Sequence, residues 1–362
     1  MPEQTKRIFL SDVHLGSGSK WDWYQPSMHK ASFVSALEHI LANAGAIKDL
    51  VLLGDIFDTW MGPVDEEPAT MGQILEANSE VVQLLAACAE KLPNVFYLNG
   101  NHDMLTTQAD LDKITKGGRR IKLINRYHAG MLYAEHGNRY TMFNARDHLH
   151  DPVDGLPLGY FISRILTGCF DYKSPKSLFS YVEDLFEAAF TTQRIAESVL
   201  EALMERVGHR PETVVKMHRP RRDVTLGEVQ KRYAPLFERW VQKFGYLYAI
   251  NAIRGEMKSL DWAADRLCKQ NGFRVVIFGH THDALAEESR LLLSRSHVYV
   301  NCGNFCTGDP TLVEVDKQSG GSLLVSLLGP KDNGHWKPKR DPLRVSADWV
   351  DAEDSDPAAS GP

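Results

Sequence analysis

The chain reads as an α/β domain with both faces of its sheet covered, interrupted late by a long helical insertion. Three observations lead there. Short apolar runs recur and each stops at a polar or glycine-containing turn; helix-period spacing separates the first of them; and strand signals nearly vanish over residues 156–271. Four to six apolar, partly β-branched residues between turn residues have the make-up of buried strands. Strands that alternate with amphipathic helices place helices against both sheet faces.

The first run is "RIFLSDVH" (7–14), followed by helical spacing at Phe33, Leu37, Ile40 and Leu41. "DLVLLGDIFD" (49–58) comes next, and Ile74, Val81, Leu84 and Leu85 carry the helix after it. "NVFYLNGNHD" (94–103) and "MLYAEHGN" (131–138) complete the strands ahead of the insertion. Within the insertion Leu178, Tyr181, Val182, Leu185, Phe186 and Phe190 keep i, i+3, i+4 spacing, as do Leu226, Val229, Tyr233, Phe237, Trp240, Val241 and Phe244. "FRVVIFGHTH" (273–282), "HVYVNCGN" (297–304), "TLVEVD" (311–316) and "SLLVSLL" (322–328) follow as strands. The principal domain thus spans 1–330, with 156–271 inserted in it. Residues 331–362, rich in Pro, Asp and Lys, are expected to form a disordered tail.

At 362 residues and 43% hydrophobic, the chain can bury a sizeable core. Its net charge of −6 supplies no global basic field to recruit nucleic acid, so an anionic ligand must be held locally. No apolar stretch has the length of a membrane span, and the N-terminus lacks the apolar core of a secretion signal. Cys88, Cys169, Cys268, Cys302 and Cys306 make an odd set, consistent with reduced thiols and a cytoplasmic protein.

Polar clusters lie where ligands gather in such sheets, just past the strand ends. They are Asp12-Val-His14, Gly54-Asp55-Ile-Phe-Asp58, Gly100-Asn101-His102-Asp103 and Gly279-His280-Thr-His282. Each alone has an ordinary explanation as a turn or a strand end. Four in order, all closing apolar strands, point to one metal site. Imidazole and carboxylate together suit Mn, Fe or Zn better than Mg or Ca. A carboxylate can bridge two cations. Two cations about 3.5–4 Å apart hold a bridging hydroxide and a phosphoryl oxygen for in-line displacement. Asp12, His14, Asp55, Asn101, His280 and His282 leave such a pair one ligand short. His128, His136, His148, His150, His209 and His218 are the candidates between the third and last clusters.

D-x-H, G-D-x-x-D, G-N-H-D and G-H-x-H resemble the calcineurin-like metallophosphoesterase superfamily, over about 7–145 and 272–330. The resemblance implies two sheets packed face to face with helices outside (α-β-β-α). It implies one metal on Asp12, His14, Asp55 and His282. Asp55 bridges to a second, held with Asn101, His280 and a histidine that follows a strand and precedes glycine. "LYAEHG" gives His136 that place; His218, after "VVKM", is the second choice. His102 becomes the proton donor or transition-state stabiliser, oriented by Asp58. A neighbouring carboxylate fixes an imidazole's tautomer and raises its pKa, which suits that task.

Protein Ser/Thr phosphatases of the superfamily carry Arg-Gly after the second aspartate, where this chain has Thr59-Trp60. "SDVHLGS", "GDIFDTWMG" and His136-Gly137 are similar to the UDP-2,3-diacylglucosamine pyrophosphatase branch, which uses Mn²⁺ on a lipid-linked nucleotide. Asn138 stands where that branch often has Asp, and the insertion here is larger. The expectation is a phosphohydrolase with two divalent ions, Mn²⁺ first and Fe or Zn as alternatives, acting on a small or lipid-linked phosphodiester or pyrophosphate. A cyclic-nucleotide phosphodiesterase or nuclease is the alternative, and a scaffold without chemistry would be marked by missing ligands. Basic residues Arg206, Arg210, Lys216, Arg219, Arg221, Arg222, Lys231 and Arg232 suit a diphosphate or an anionic membrane face. The apolar stretch 158–170 suits an acyl chain or bilayer contact, or simply the core. A site for the protein at the inner face of a membrane follows as an expectation.

Overall fold

A computed structural model describes residues 4–116, 118–146, 155–167, 194–289, 297–331 and 335–346. The N-terminal half runs β1 (Lys6–Leu10), α1 (Pro26–Ala42), β2 (Ile47–Leu53), α2 (Met71–Ala77), α3 (Ser79–Lys91), β3 (Asn94–Leu98) and α4 (Gln108–Thr115). Three short strands follow, β4 (Ile121–Leu123), β5 (Tyr127–Ala129) and β6 (Leu132–Ala134). The next elements are α5 (Leu158–Leu166), α6 (Ile195–Val207), β7 (Val214–Val215) and β8 (Val224–Thr225). Then come α7 (Leu226–Tyr233), α8 (Leu236–Phe244), α9 (Tyr246–Met257) and α10 (Asp261–Asn271). The chain closes with β9 (Val275–Phe278), β10 (Leu285–Ser289), β11 (His297–Asn301), β12 (Leu312–Lys317), β13 (Leu323–Pro330), β14 (Trp336–Pro338) and β15 (Leu343–Val345).

An eight-stranded sheet has the order β14-β13-β12-β1-β2-β3-β4 with β15 also on β13, and a five-stranded sheet has the order β10-β11-β9-β6-β5. β1 to β4 pair in parallel in the first, and β6, β9 and β11 in the second. The period-two alternation of the strands separates the layers. Phe9, Val51 and Leu53 share one core with Leu132, Ala134, Val275 and Ile277, so these sheets pack face to face. Ile8, Leu10, Leu50 and Leu52 face the other way, onto Phe33 and Leu37 of α1 and Leu85 of α3. Val276 and Phe278 likewise meet Ala263 and Ala264 of α10. The result is the α-β-β-α arrangement. A buried contact joins the sheets directly, with Arg7 Nε 2.9 Å from Tyr127 Oη and Tyr127 Oη donating to Asp49 Oδ2 at 2.7 Å.

Helices α5 to α9 lie between β6 and β9 and share an apolar core that includes Leu158, Phe161, Leu200, Tyr233 and Trp240. Trp23, Trp60 and Met104, from loops of the first sheet, pack into the same core. Leu158, Tyr160, Phe161, Ile165 and Leu166 are all buried, which makes the described part of the 158–170 stretch core. The pattern at 178–190, with His148 and His150, lies outside the described residues.

Several boundaries differ from expectation. The insertion expected over 156–271 includes α10, which belongs to the outer helix layer because its alanines cover the second sheet. The expected helix through residues 74–85 breaks at Asn78, whose side chain donates to Ile74 O at 2.8 Å and Gly16 O at 2.7 Å. The one at 226–244 breaks before Pro235, which has no N–H to continue the ladder. Of the tail expected to be disordered over 331–362, residues 336–345 instead add β14 and β15 to β13, with Trp336 buried beside Phe305, and 347–362 lies outside the described residues. A single indole supplies apolar area that the stretch's composition hides.

Candidate metal centre

Six parallel strands end at one place. β1, β2 and β3 deliver Asp12, His14, Asp55, Asp58, Asn101 and His102 from the first sheet. β6 and β9 deliver His136, His280 and His282 from the second, and the loop after β11 lies beside them. The turns are tight: Asp12, His14, Asp55, His280 and His282 have φ of 55, 57, 52, 71 and 63°. Left-handed backbone is uncommon outside glycine and, clustered, marks functional turns. Gly54, at φ 87°, is needed there, since a Cβ would stand 2.6 Å from His136 Nδ1 and 2.7 Å from Gly100 N.

Donor atoms converge across the seam. His136 Nε2 is 3.2 Å from Asp55 Oδ2 and 3.9 Å from Asp12 Oδ1. His282 Nε2 is 3.2 Å from Asp12 Oδ1 and 3.2 Å from His14 Nε2. His14 Nε2 is 3.9 Å from Asp12 Oδ1 and 4.0 Å from Asp55 Oδ2. Metal–ligand bonds of about 2.0–2.2 Å put two donors of one cation roughly 3–3.5 Å apart, so the 3.2 Å spacings suit a shared ion. His14, Asp55 and His102 cluster, as do Asp55, His136 and His280. All nine residues singled out in the sequence therefore meet. His218 instead sits in the turn between β7 and β8 near Tyr160, and burial with Arg164 and Arg221 pushes its pKa down to about 4. His128 lies on β5, and His209 follows α6.

Tautomers are set by the other ring nitrogen. His136 Nδ1 lies 2.9 Å from Leu53 O, so it donates there and leaves the Nε2 lone pair for a cation. His14 Nδ1 meets Asp58 Oδ2 at 3.1 Å with the same consequence. His280 Nε2 meets Thr141 Oγ1 at 3.1 Å, leaving Nδ1. Asn101 Nδ2 donates to Asn144 Oδ1 at 3.2 Å, while Asn101 Oδ1 is buried without a hydrogen-bond partner. An orphaned amide oxygen beside carboxylates and imidazoles fits a divalent cation.

Electrostatics pair the acids with the imidazoles. Burial alone raises the Asp12 carboxyl, but His136 and His282 outweigh it and hold it below the ordinary range. Burial opposes ionisation of Asp55 too, and His136 and His102 bring it far lower. His102 Nδ1 lies 3.0 Å from Asp58 Oδ2. Burial lowers the His102 pKa, Asp58 and Asp55 raise it, and the net direction is upward. Trp60 stacks on His102 at 4.3 Å and Trp23 sits 5.0 Å away, so the ring is fixed between indoles.

Several supporting residues were given no site role by the sequence. Asp103 accepts from Gly100 N at 2.7 Å and Ile56 N at 3.0 Å, and Tyr97 Oη donates to it. Its burial pushes its pKa up to about 7. Glu256 of α9 accepts from Phe143 N and, at 2.7 Å, from Asn144 Nδ2, linking the insertion to Asn101. Asn138 Nδ2 donates to Asn144 O at 3.1 Å, a bond that an ionised aspartate there could not make. Membership of G-N-H-D could have flagged Asp103, and Asn138 was visible as the residue after His136-Gly137; Glu256 carries no local signal.

Known proteins agree with this geometry at the family level. The pattern of the calcineurin-like phosphoesterase family matches residues 5–284. The chain is 31% identical over 102 residues to a UDP-2,3-diacylglucosamine hydrolase of Aeromonas hydrophila subsp. hydrophila, covering 28% of this chain and 35% of that protein. It is 28% identical over 130 residues to the enzyme of the same name from Actinobacillus succinogenes, covering 36% of this chain and 46% of that protein. The chain thus spans less than half the length of either relative. Among solved structures it is similar to Vps29 of Chaetomium thermophilum, with 10% identity, a TM-score of 0.36, and coverage of 94% of this chain and 98% of that one. With its family pattern running from β1 through the G-H-x-H turn, the chain belongs to the calcineurin-like phosphoesterase family.

Proposed function

We propose that the chain is a phosphohydrolase with two divalent cations that cleaves a phosphodiester or pyrophosphate bond. The convergence of Asp12, His14, Asp55, Asn101, His136, His280 and His282 beside a carboxylate-held His102 carries this reading. Asp12, His14, Asp55 and His282 hold one cation, and Asp55, Asn101, His136 and His280 the other. When bound, the cations supply an activated oxygen nucleophile and draw charge from the phosphoryl group. Mn²⁺ is the first choice, with Fe or Zn as alternatives.

The chain's own groups do the rest. Asp58 holds His102 in the tautomer with a proton on Nδ1 and favours its charged form, so Nε2 can protonate the departing oxygen. Trp23 and Trp60 fix the ring and keep water from that side.

The substrate class is a small or lipid-linked phosphate, with UDP-2,3-diacylglucosamine the first to test because both curated relatives carry that name. Exposed Phe244, Tyr246 and Leu247 at the turn between α8 and α9 support contact with a membrane presenting such a substrate. A nuclease gets little support from the basic stretch. Lys216 and Arg219 pair with Asp223, Arg219 also with Glu67, and Arg222 with Glu228.

Hydrolysis of bis-p-nitrophenyl phosphate in Mn²⁺ tests the reading. Asp55→Ala should abolish it, and His102→Ala should lower it by about 10²–10⁴, with both variants folded by circular dichroism. Wild-type rates in either variant would refute the assigned roles. A panel of UDP-diacylglucosamine, cyclic nucleotides and single-stranded DNA then separates the substrate classes.

A further inference from the structure

We propose that Cys306 is a thiolate ligand of the cation held by Asp12, His14, Asp55 and His282, and that it biases that position toward a borderline-soft ion such as zinc. The proposal rests on the metal-centre reading above and deepens it. Ligand atoms of His14, His282 and Cys306 all lie within 4.8 Å of one another. Asp12 Oδ1 is 3.2 Å from His282 Nε2. Carboxylate, imidazole and thiol thus lie around His282, and only sulfur prefers soft cations.

The loop that carries the thiol is fixed to the ligands themselves. Phe305 N donates to Asp12 O at 3.0 Å, and Asn304 Nδ2 donates to His282 O at 2.8 Å. Asn304 Oδ1 accepts from Cys306 N at 3.0 Å and Thr307 Oγ1 at 2.8 Å, which sets the direction of the turn. The thiol's own contact with that oxygen is long, at 3.6 Å, so its loss on ionisation costs little. Cys306 lies beside His282 and is buried, with 1% of its surface exposed. Burial pushes an isolated thiol toward its neutral form. With a cation bound, Cys306 would lose its S–H proton to the buffer and offer a sulfur lone pair as a ligand. Cys88, Cys268 and Cys302 are also free thiols, and no other cysteine joins a cluster of candidate ligands among the described residues.

The test is zinc-edge X-ray absorption on the full-length wild-type protein loaded with two zinc ions. One sulfur scatterer per pair of zincs, at about 2.3 Å, is the expected result. Scattering from nitrogen and oxygen alone, in a protein that binds two zincs, overturns the proposal and leaves the metal centre standing. Failure to bind any divalent ion overturns both. Cys306→Ser should remove the sulfur signal, keep two metals at saturation, and weaken zinc relative to manganese by about tenfold or more. Cys302→Ser should change neither. A sulfur signal that survives in Cys306→Ser also counts against the proposal.

Discussion

Asp58 presents one carboxylate oxygen to two imidazoles, His14 Nδ1 at 3.1 Å and His102 Nδ1 at 3.0 Å. Its other oxygen accepts from Trp60 N at 2.9 Å and Met61 N at 3.3 Å. Asp58→Asn can keep the turn through its amide oxygen, but its NH₂ then faces both Nδ1 atoms. Both rings are driven to the opposite tautomer, with the proton on Nε2. His14 then loses the Nε2 lone pair proposed to hold a cation, and His102 can no longer be held in its charged form. The variant should therefore stay folded, bind the first metal about 10–100-fold more weakly, and lose about 10²–10⁴ in kcat. Metal titration and steady-state kinetics on bis-p-nitrophenyl phosphate check both halves. Unchanged metal affinity would show that Asp58 acts on His102 alone. Left-handed backbone at Asp12, His14, Asp55, His280 and His282 costs about 1–2 kcal/mol each. The fold tolerates that cost because each of these turns closes a buried strand.

Strand ends and the helix α9 are the elements that aim the site. β1, β2, β3, β6 and β9 were legible because burial on both faces makes their apolar runs continuous. β4, β5, β7, β8, β14 and β15 were not, since each has only two or three residues and is defined by its pairing partner. The four clusters were legible because each is contiguous. Thr141 and Glu256 were not, because they reach their partners across 139 and 112 residues of chain. Glu256 also makes a pH-dependent contribution. Burial outweighs its three kinds of hydrogen-bond partner and pushes its carboxyl up to about 7. A carboxyl raised by folding stabilises the native state below its unfolded pKa near 4.5, and that contribution is lost as pH rises through about 7. Glu256→Gln should remove a slope on the order of 3 kcal/mol across this window. Urea unfolding of both chains at several pH values, in chelator, measures it. Parallel slopes would mean that Glu256 is ionised in the native protein.

Across the whole molecule, the candidate metal centre lies on the seam between the sheets. Asp12, His14, Asp55 and Asn101 come from the eight-stranded sheet, and His136, His280 and His282 from the five-stranded one. Elsewhere the sheets are joined by their shared apolar core and by the Arg7–Asp49–Tyr127 contact. Cations on the seam would add a polar clamp to an interface otherwise held by burial. Without them the acids and imidazoles offset one another, as the lowered Asp12 pKa and the His136 pKa raised to about 9 attest. That compensation predicts a metal-free protein that stays folded. Binding to the native state alone stabilises by RT ln(1 + [L]/Kd), about 2.7 kcal/mol at a hundred times Kd. Chelator should therefore lower Tm by several degrees, and Mn²⁺ should restore it in a concentration-dependent way. His136→Ala removes a candidate ligand supplied by the second sheet and should reduce the Mn²⁺-dependent rise, whereas Asp49→Ala should lower Tm by a similar amount with and without metal. Calorimetry on the three proteins separates the two joints. An equal metal-dependent rise in wild type and His136→Ala would mean that the cations bind the first sheet only and do not clamp the seam.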